Sequence, residues 1–173
     1  GGLPMASNME EYKKELSKLV ECGRKLLFAM QNECHPDEFR EHLYERFEKE
    51  EKVDDFIKRL PDFKASYQSW YTKSKSVIKQ VIPDRLNDFI SYYEPQKGRK
   101  TVEYGNYVVY DYLQDLAVTL GTGQEKVNPS AAIPQFRQQF NILKSAEERF
   151  ESKLFDIKQL TQADVFDTEI DSA

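Results

Sequence analysis

The chain has 173 residues, enough for one domain with a good core and too few for two. It is 39% hydrophobic, 13% aromatic and 32% charged. That richness in aromatics excludes a disordered chain, and no apolar run nears the roughly 20 residues that span a bilayer. The formal net charge of −5 argues against nonspecific nucleic-acid binding by the surface as a whole.

The opening GGLPMAS has the character of a vector-derived leader. We therefore expect residues 1–8 to be leader and disordered start, and residues 9–160 to form a helical bundle domain. From Glu10 to Glu33, apolar positions recur at Tyr12, Leu16, Leu19/Val20, Gly23, Leu26/Leu27 and Met30. That spacing predicts one buried stripe on a helix, with Ser7 or Asn8 as its N-cap. Glycine inside a helix costs about 1 kcal/mol against alanine, so Gly23 on the stripe marks close approach of a neighbouring helix.

Pro36 suits the first position of a second helix, and Asp37 and Glu38 suit its positive end. Phe39, Leu43 and Phe47 form a stripe that lapses over EKEEK and resumes at Val53, Phe56/Ile57 and Leu60. The pattern fits one bent helix or two short ones. After Pro61, Tyr67, Trp70/Tyr71, Ser74, Val77/Ile78 and Val81 make the most aromatic helical face in the chain. Pro83 closes that helix and opens a short one, in which Leu86, Phe89/Ile90 and Tyr93 share a side.

The stretch from Tyr92 to Leu113 holds six of the ten tyrosines and the compact basic cluster KGRK. Gly105-Asn106 could turn a hairpin, but an isolated two-stranded hairpin is marginal in water. The favoured alternative is a helix capped by Asn106 and running from Tyr107 through DYLQDLAVTL, with GTGQEKVNPSAA as a loop after it. In the last helix Phe136, Leu143, Phe150 and Ile157 recur every seven residues, with Phe140 and Leu154 between them. These six form an a/d seam over about three heptads, which packs inside the bundle or pairs with a second copy. Residues 161–173 are expected to be a linker and the start of a truncated downstream helix. Their acids contribute to a charge imbalance, with 19 Lys and Arg against 18 Asp and Glu in residues 1–100, and 6 against 12 thereafter.

The predicted fold class is all-α: an irregular bundle of about six helices with one long, heptad-patterned C-terminal helix. No catalytic constellation emerges. Asp54/Asp55 and Glu147/Glu148 are adjacent, not facing, pairs, and Gly121-Thr-Gly123 lacks the lysine of a phosphate loop. Cys34, His35 and His42 lack a fourth convergent ligand, so neither metal nor cofactor is expected. Two cysteines without a disulfide pattern point to a reducing cytoplasm. Lys97, Arg99 and Lys100 beside Tyr104 and Tyr107 are the candidate nucleic-acid contact, cations for phosphates and rings for bases.

The runs YQSWYTKSKSVIKQVIPDRLNDFISYYEPQKGRK, NYVVYDYLQDL and FNILKSAEERFESKLFDIKQLTQADVFDTEIDSA resemble the N-terminal region of an uncharacterised bacterial protein family. In that family a helical region precedes a domain similar to HEPN domains, many of which are ribonucleases of toxin–antitoxin and phage-defence systems. The HEPN signature, an Arg four to six residues before a His, is absent: Arg24 is too far from His35 and Arg40 too close to His42. The resemblance, over residues 65–173, implies a non-catalytic interaction or regulatory module positioning a downstream HEPN-like domain. Its implied partners are that domain or a second copy, and the alternative is a nucleic-acid-binding module.

Overall fold

The computed structural model describes residues 5–171, with side chains over 8–163. Seven α-helices are present among them: α1 (Met5–Cys34), α2 (Pro36–Phe47), α3 (Glu50–Lys58), α4 (Phe63–Val81), α5 (Leu86–Ser91), α6 (Val109–Leu113) and α7 (Ala132–Asp171). A two-stranded antiparallel ribbon, β1 (Val118–Thr119) and β2 (Glu125–Val127), stands between α6 and α7. The all-α bundle is as expected, with one more helix because the second stripe divides. No described helix is long and apolar enough to cross a membrane.

Three long helices form the frame. Tyr12 near the start of α1 packs its ring 4.9 Å from Phe150 of α7 and donates to Gln80 Oε1 of α4 at 3.1 Å. Both α4 and α7 thus run antiparallel to α1. At mid-frame, Gly23 faces Trp70 and Phe140. A Cβ at position 23 would lie 2.8 Å from Trp70 Nε1 and 3.0 Å from Phe140 Cδ2. The close approach read from the sequence is real, and the indole is fixed there because its N–H donates to the Leu19 carbonyl at 3.1 Å.

Around this point lies an aromatic layer. Phe136 is wedged between Phe63 and Trp70, with ring centroids 5.2 and 5.0 Å away, and Phe89 of α5 stacks on Tyr71 at 5.4 Å. One buried polar bridge crosses the layer: Tyr67 donates to Gln139 Oε1 at 2.8 Å, and Gln139 Nε2 donates to the Phe89 carbonyl at 3.0 Å. A smaller core of Phe39, Leu43 and Val53, with Phe28, Phe47 and Phe56, joins α2 and α3 to one side of α1. The chain turns between those two helices at Glu48, whose φ of 58° is left-handed. That turn lets both short helices present their stripes inward, where one continuous helix would carry Val53 away.

Four expectations give way. The helix expected to run from Tyr107 to Leu120 is cut to α6. Asp115 takes a left-handed φ of 54°, and the β-branched Val118-Thr119 then pairs with Glu125–Val127 across a turn at Gly123, φ 86°. Glu125–Val127 of the expected loop is therefore strand. The expected linker after Thr161 is instead continuous helix to Asp171, since nothing over 161–171 is a proline or glycine that would stop it. At the other end α1 begins at Met5 rather than at a cap on Ser7 or Asn8, while residues 1–4 of the assigned leader lie outside the described residues.

Gly23→Ala tests the frame. Helix propensity would favour alanine by about 1 kcal/mol, whereas overpacking a fixed core costs about 1–3 kcal/mol. We expect the urea midpoint to fall with the slope unchanged; a raised midpoint would show that Trp70 and Phe140 can move aside.

Candidate functional site

The basic loop is a braced structural corner. Arg99 donates through Nη1 to Asp111 Oδ2 at 2.7 Å and through Nη2 to Oδ1 at 2.9 Å, a two-pronged pair. Nη1 also reaches the Asn106 carbonyl at 3.1 Å. The Asp111 side chain is 2% exposed and that of Arg99 14%. Hydrogen bonding to Asp111 holds the guanidinium pKa above its ordinary value. Asp111 also accepts from the Val108 N–H at 2.9 Å, which starts α6. Arg99 is therefore committed internally and is corrected from a phosphate contact to a structural residue.

Tyr107 is corrected likewise. Its ring is fully buried and its hydroxyl donates to the Leu116 carbonyl at 2.8 Å, so it offers no face for stacking. Lys97 and Lys100 are exposed, and Tyr104 is 62% exposed. Asn106 does cap, but it closes the single turn at 104–106: its Oδ1 accepts from Glu103 N at 2.8 Å, and its Nδ2 donates to the Thr101 carbonyl at 2.9 Å.

The heptad seam is largely taken up by the chain's own core. Phe136, Phe140, Leu143 and Leu154 are buried and Phe150 packs on Tyr12. Of the six, Ile157 alone is exposed, at 36%. Leu160, on the same face, is 67% exposed, Phe155 on the opposite side of the helix is 61% exposed, and α7 is tied here to α1 by a Lys158–Glu10 ion pair.

Two adjoining clefts open where α1 ends, sharing His35 and Ser130. The first, about 670 Å³, is lined by Glu33, Cys34, Lys64, Tyr112 and Asp115. The Tyr112 hydroxyl donates to the Glu33 carboxylate, and Lys64 pairs with Asp115 while lying 5.5 Å from the Tyr112 ring centroid. Burial first, then the hydrogen bond to Glu33, push the Tyr112 hydroxyl far above the tyrosine range. Burial also raises the Cys34 thiol, which the Tyr112 hydroxyl only partly offsets. Both groups thus keep their protons at neutral pH, which suits neither nucleophile nor base. Among the described residues no group of three or more His, Cys, Asp or Glu is placed to hold a metal ion.

The second cleft, about 420 Å³, lies between α2 and the start of α7 and is lined by His35, Phe39, His42, Tyr104, Ile133 and Arg137. Of these, the basic-cluster reading singled out Tyr104 alone. Arg137 carries no signal in the sequence, because an arginine between two core phenylalanines is the usual exposed position of an amphipathic helix.

Two measurements follow from this geometry. Arg99→Ala strands the buried Asp111 carboxylate and should cost about 3 kcal/mol, whereas Lys97→Ala and Lys100→Ala should stay within about 0.5 kcal/mol; urea denaturation of the three variants separates them. At pH 7.5 both thiols should react with a disulfide reagent at least about tenfold more slowly than free cysteine. Labelling of Cys34 at the free-cysteine rate would contradict its placement.

Comparison of the chain with protein-family models, with curated proteins and with solved structures gave no match.

Proposed function

We propose that this chain is a non-catalytic helical interaction module that associates with a second copy through the outer end of α7. The observation that carries this reading is the exposure of Ile157 and Leu160, neighbours three residues apart on one face of α7. Beside them is an apolar hollow of about 380 Å³ edged by Met9, Tyr12, Val81 and Phe150. Ile157 keeps the seven-residue phase of Phe136, Leu143 and Phe150, so a second α7 can meet it in coiled-coil register.

The non-catalytic character is supported by the employment of the groups with chemical potential. Arg99, Asp111, Tyr107, Tyr67 and Gln139 are bound to partners within the fold, and Tyr112 and Cys34 hold their protons. The resemblance over residues 65–173 extends the proposal: the module positions a downstream HEPN-like domain, and pairing of two modules brings two such domains together.

Two side chains cover far less than the roughly 800 Å² per partner of a stable interface, so the association is weak. Light scattering over a concentration series should show a dimer only towards the high end, lost in Ile157→Ser/Leu160→Ser. A fragment monomeric at every concentration, in a longer protein that oligomerises without it, would refute the self-association.

A further inference from the structure

The cleft between α2 and the start of α7 combines features that the interaction reading does not use. Tyr104 is held outward on a turn that leaves it little freedom. Asn106 ties both sides of that turn, Arg99 anchors it from within, and Glu103 is paired with Lys126 at 2.9 Å. A tyrosine with 62% of its surface in water gains little stability for the fold, yet four polar contacts fix its backbone neighbours. The backbone beneath the ring is thereby fixed, so a ligand that stacks on it has only the two side-chain torsions of Tyr104 left to order.

Across the cleft from this ring the chemistry is cationic and apolar. Arg137 lines it, and its guanidinium makes no ion pair among the described residues. His35 and His42 also line it, His42 with its Nδ1 3.9 Å from Glu45, Glu38 is the single carboxylate of the lining, and Phe39 and Ile133 give an apolar floor. Arginine presents a planar fork that matches two phosphate oxygens at once. A flat aromatic shelf, an apolar floor and a free guanidinium within about 420 Å³ suit a ligand with a planar ring at one end and a phosphate at the other. The volume lies toward the lower end of the roughly 300–1,000 Å³ of small-molecule sites, which fits one such unit and not a strand.

We propose that this cleft binds a single nucleotide, its base stacked on Tyr104 and its phosphate on Arg137. The shared chemistry is a purine or pyrimidine joined to a phosphate, supplied by a free mononucleotide or by the phosphorylated end of a single strand. The site is independent of the outer end of α7 and uses neither Lys97 nor Lys100, although Arg99 between them braces the turn.

Calorimetric titration of the whole chain at low salt, with adenosine 5′-monophosphate, a 5′-phosphorylated trinucleotide and unphosphorylated adenosine, tests the proposal. Both phosphorylated probes, or the trinucleotide alone, should bind more tightly than adenosine; equal affinity for the first two assigns free nucleotide, and preference for the second assigns a strand end. Tyr104→Ala should weaken binding about fivefold or more while Tyr104→Trp retains it. Arg137→Gln should weaken it comparably and flatten its salt dependence, and Lys97→Ala/Lys100→Ala should leave it unchanged. No binding of either phosphorylated probe at millimolar concentration, or affinity unaltered in both Tyr104→Ala and Arg137→Gln, would overturn it. Both are surface substitutions, and circular dichroism of each variant establishes that a lost signal is not a lost fold.

Discussion

The Trp70 indole fills the space that a side chain at position 23 would need, and its N–H is tied to the Leu19 carbonyl of α1. That contact sets the distance between α1 and α4, and through Phe140 the distance to α7. Once the three are drawn together, Phe136 can sit between Phe63 and Trp70, and Phe89 can bring α5 onto the same layer. The short helices and the ribbon are then placed by what this frame exposes. Even the tyrosine-rich stretch is registered against it, since Val109 and Tyr110 donate their N–H groups to the Tyr92 and Tyr93 carbonyls just beyond α5.

The second organising interaction is electrostatic. A carboxylate as buried as Asp111 is tolerated because Arg99 meets it with two hydrogen bonds and the Val108 N–H with a third, which offsets the cost of removing both charges from water. The pair joins the basic loop to the start of α6 and holds the turn that carries Tyr104. A cluster that looks electropositive in one dimension has thereby lost its strongest cation to the interior. What remains at the surface is two lysines and an exposed ring.

Much of the frame was legible because it is periodic. The stripes of α1 and α4 name nearly all of their buried residues, and Gly23 gave away the tightest contact, whereas the narrow seam of α7 leaves out the buried Ile133, Gln139, Ile142 and Ala146. The ends of elements were harder. Leu116 and Leu120 stand at helical spacing from Tyr112, yet the left-handed turn at Asp115 and the β-branched Val118-Thr119 won over that phase. Site residues were least legible, because their partners lie far away in the chain. Tyr112 meets Glu33 across 79 positions, and Arg99 was assigned outward because nothing in KGRK says which cation will find a buried acid. Arg137 and Tyr104 share a cleft only through the packing of α7 against the junction of α1 and α2.

The division of the apolar interior into two clusters bears on that cleft. Phe39, Leu43 and Val53 belong to the smaller cluster, while Ile133 and Phe136 belong to the larger, and Leu60 packs against both. One wall of the cleft is thus carried by α2 and the other by α7. Small apolar clusters open at lower free energy than the global transition, so the α2–α3 unit can breathe while the three-helix frame stays closed. Opening of that unit would widen the mouth beside Tyr104 and leave the three-helix frame undisturbed.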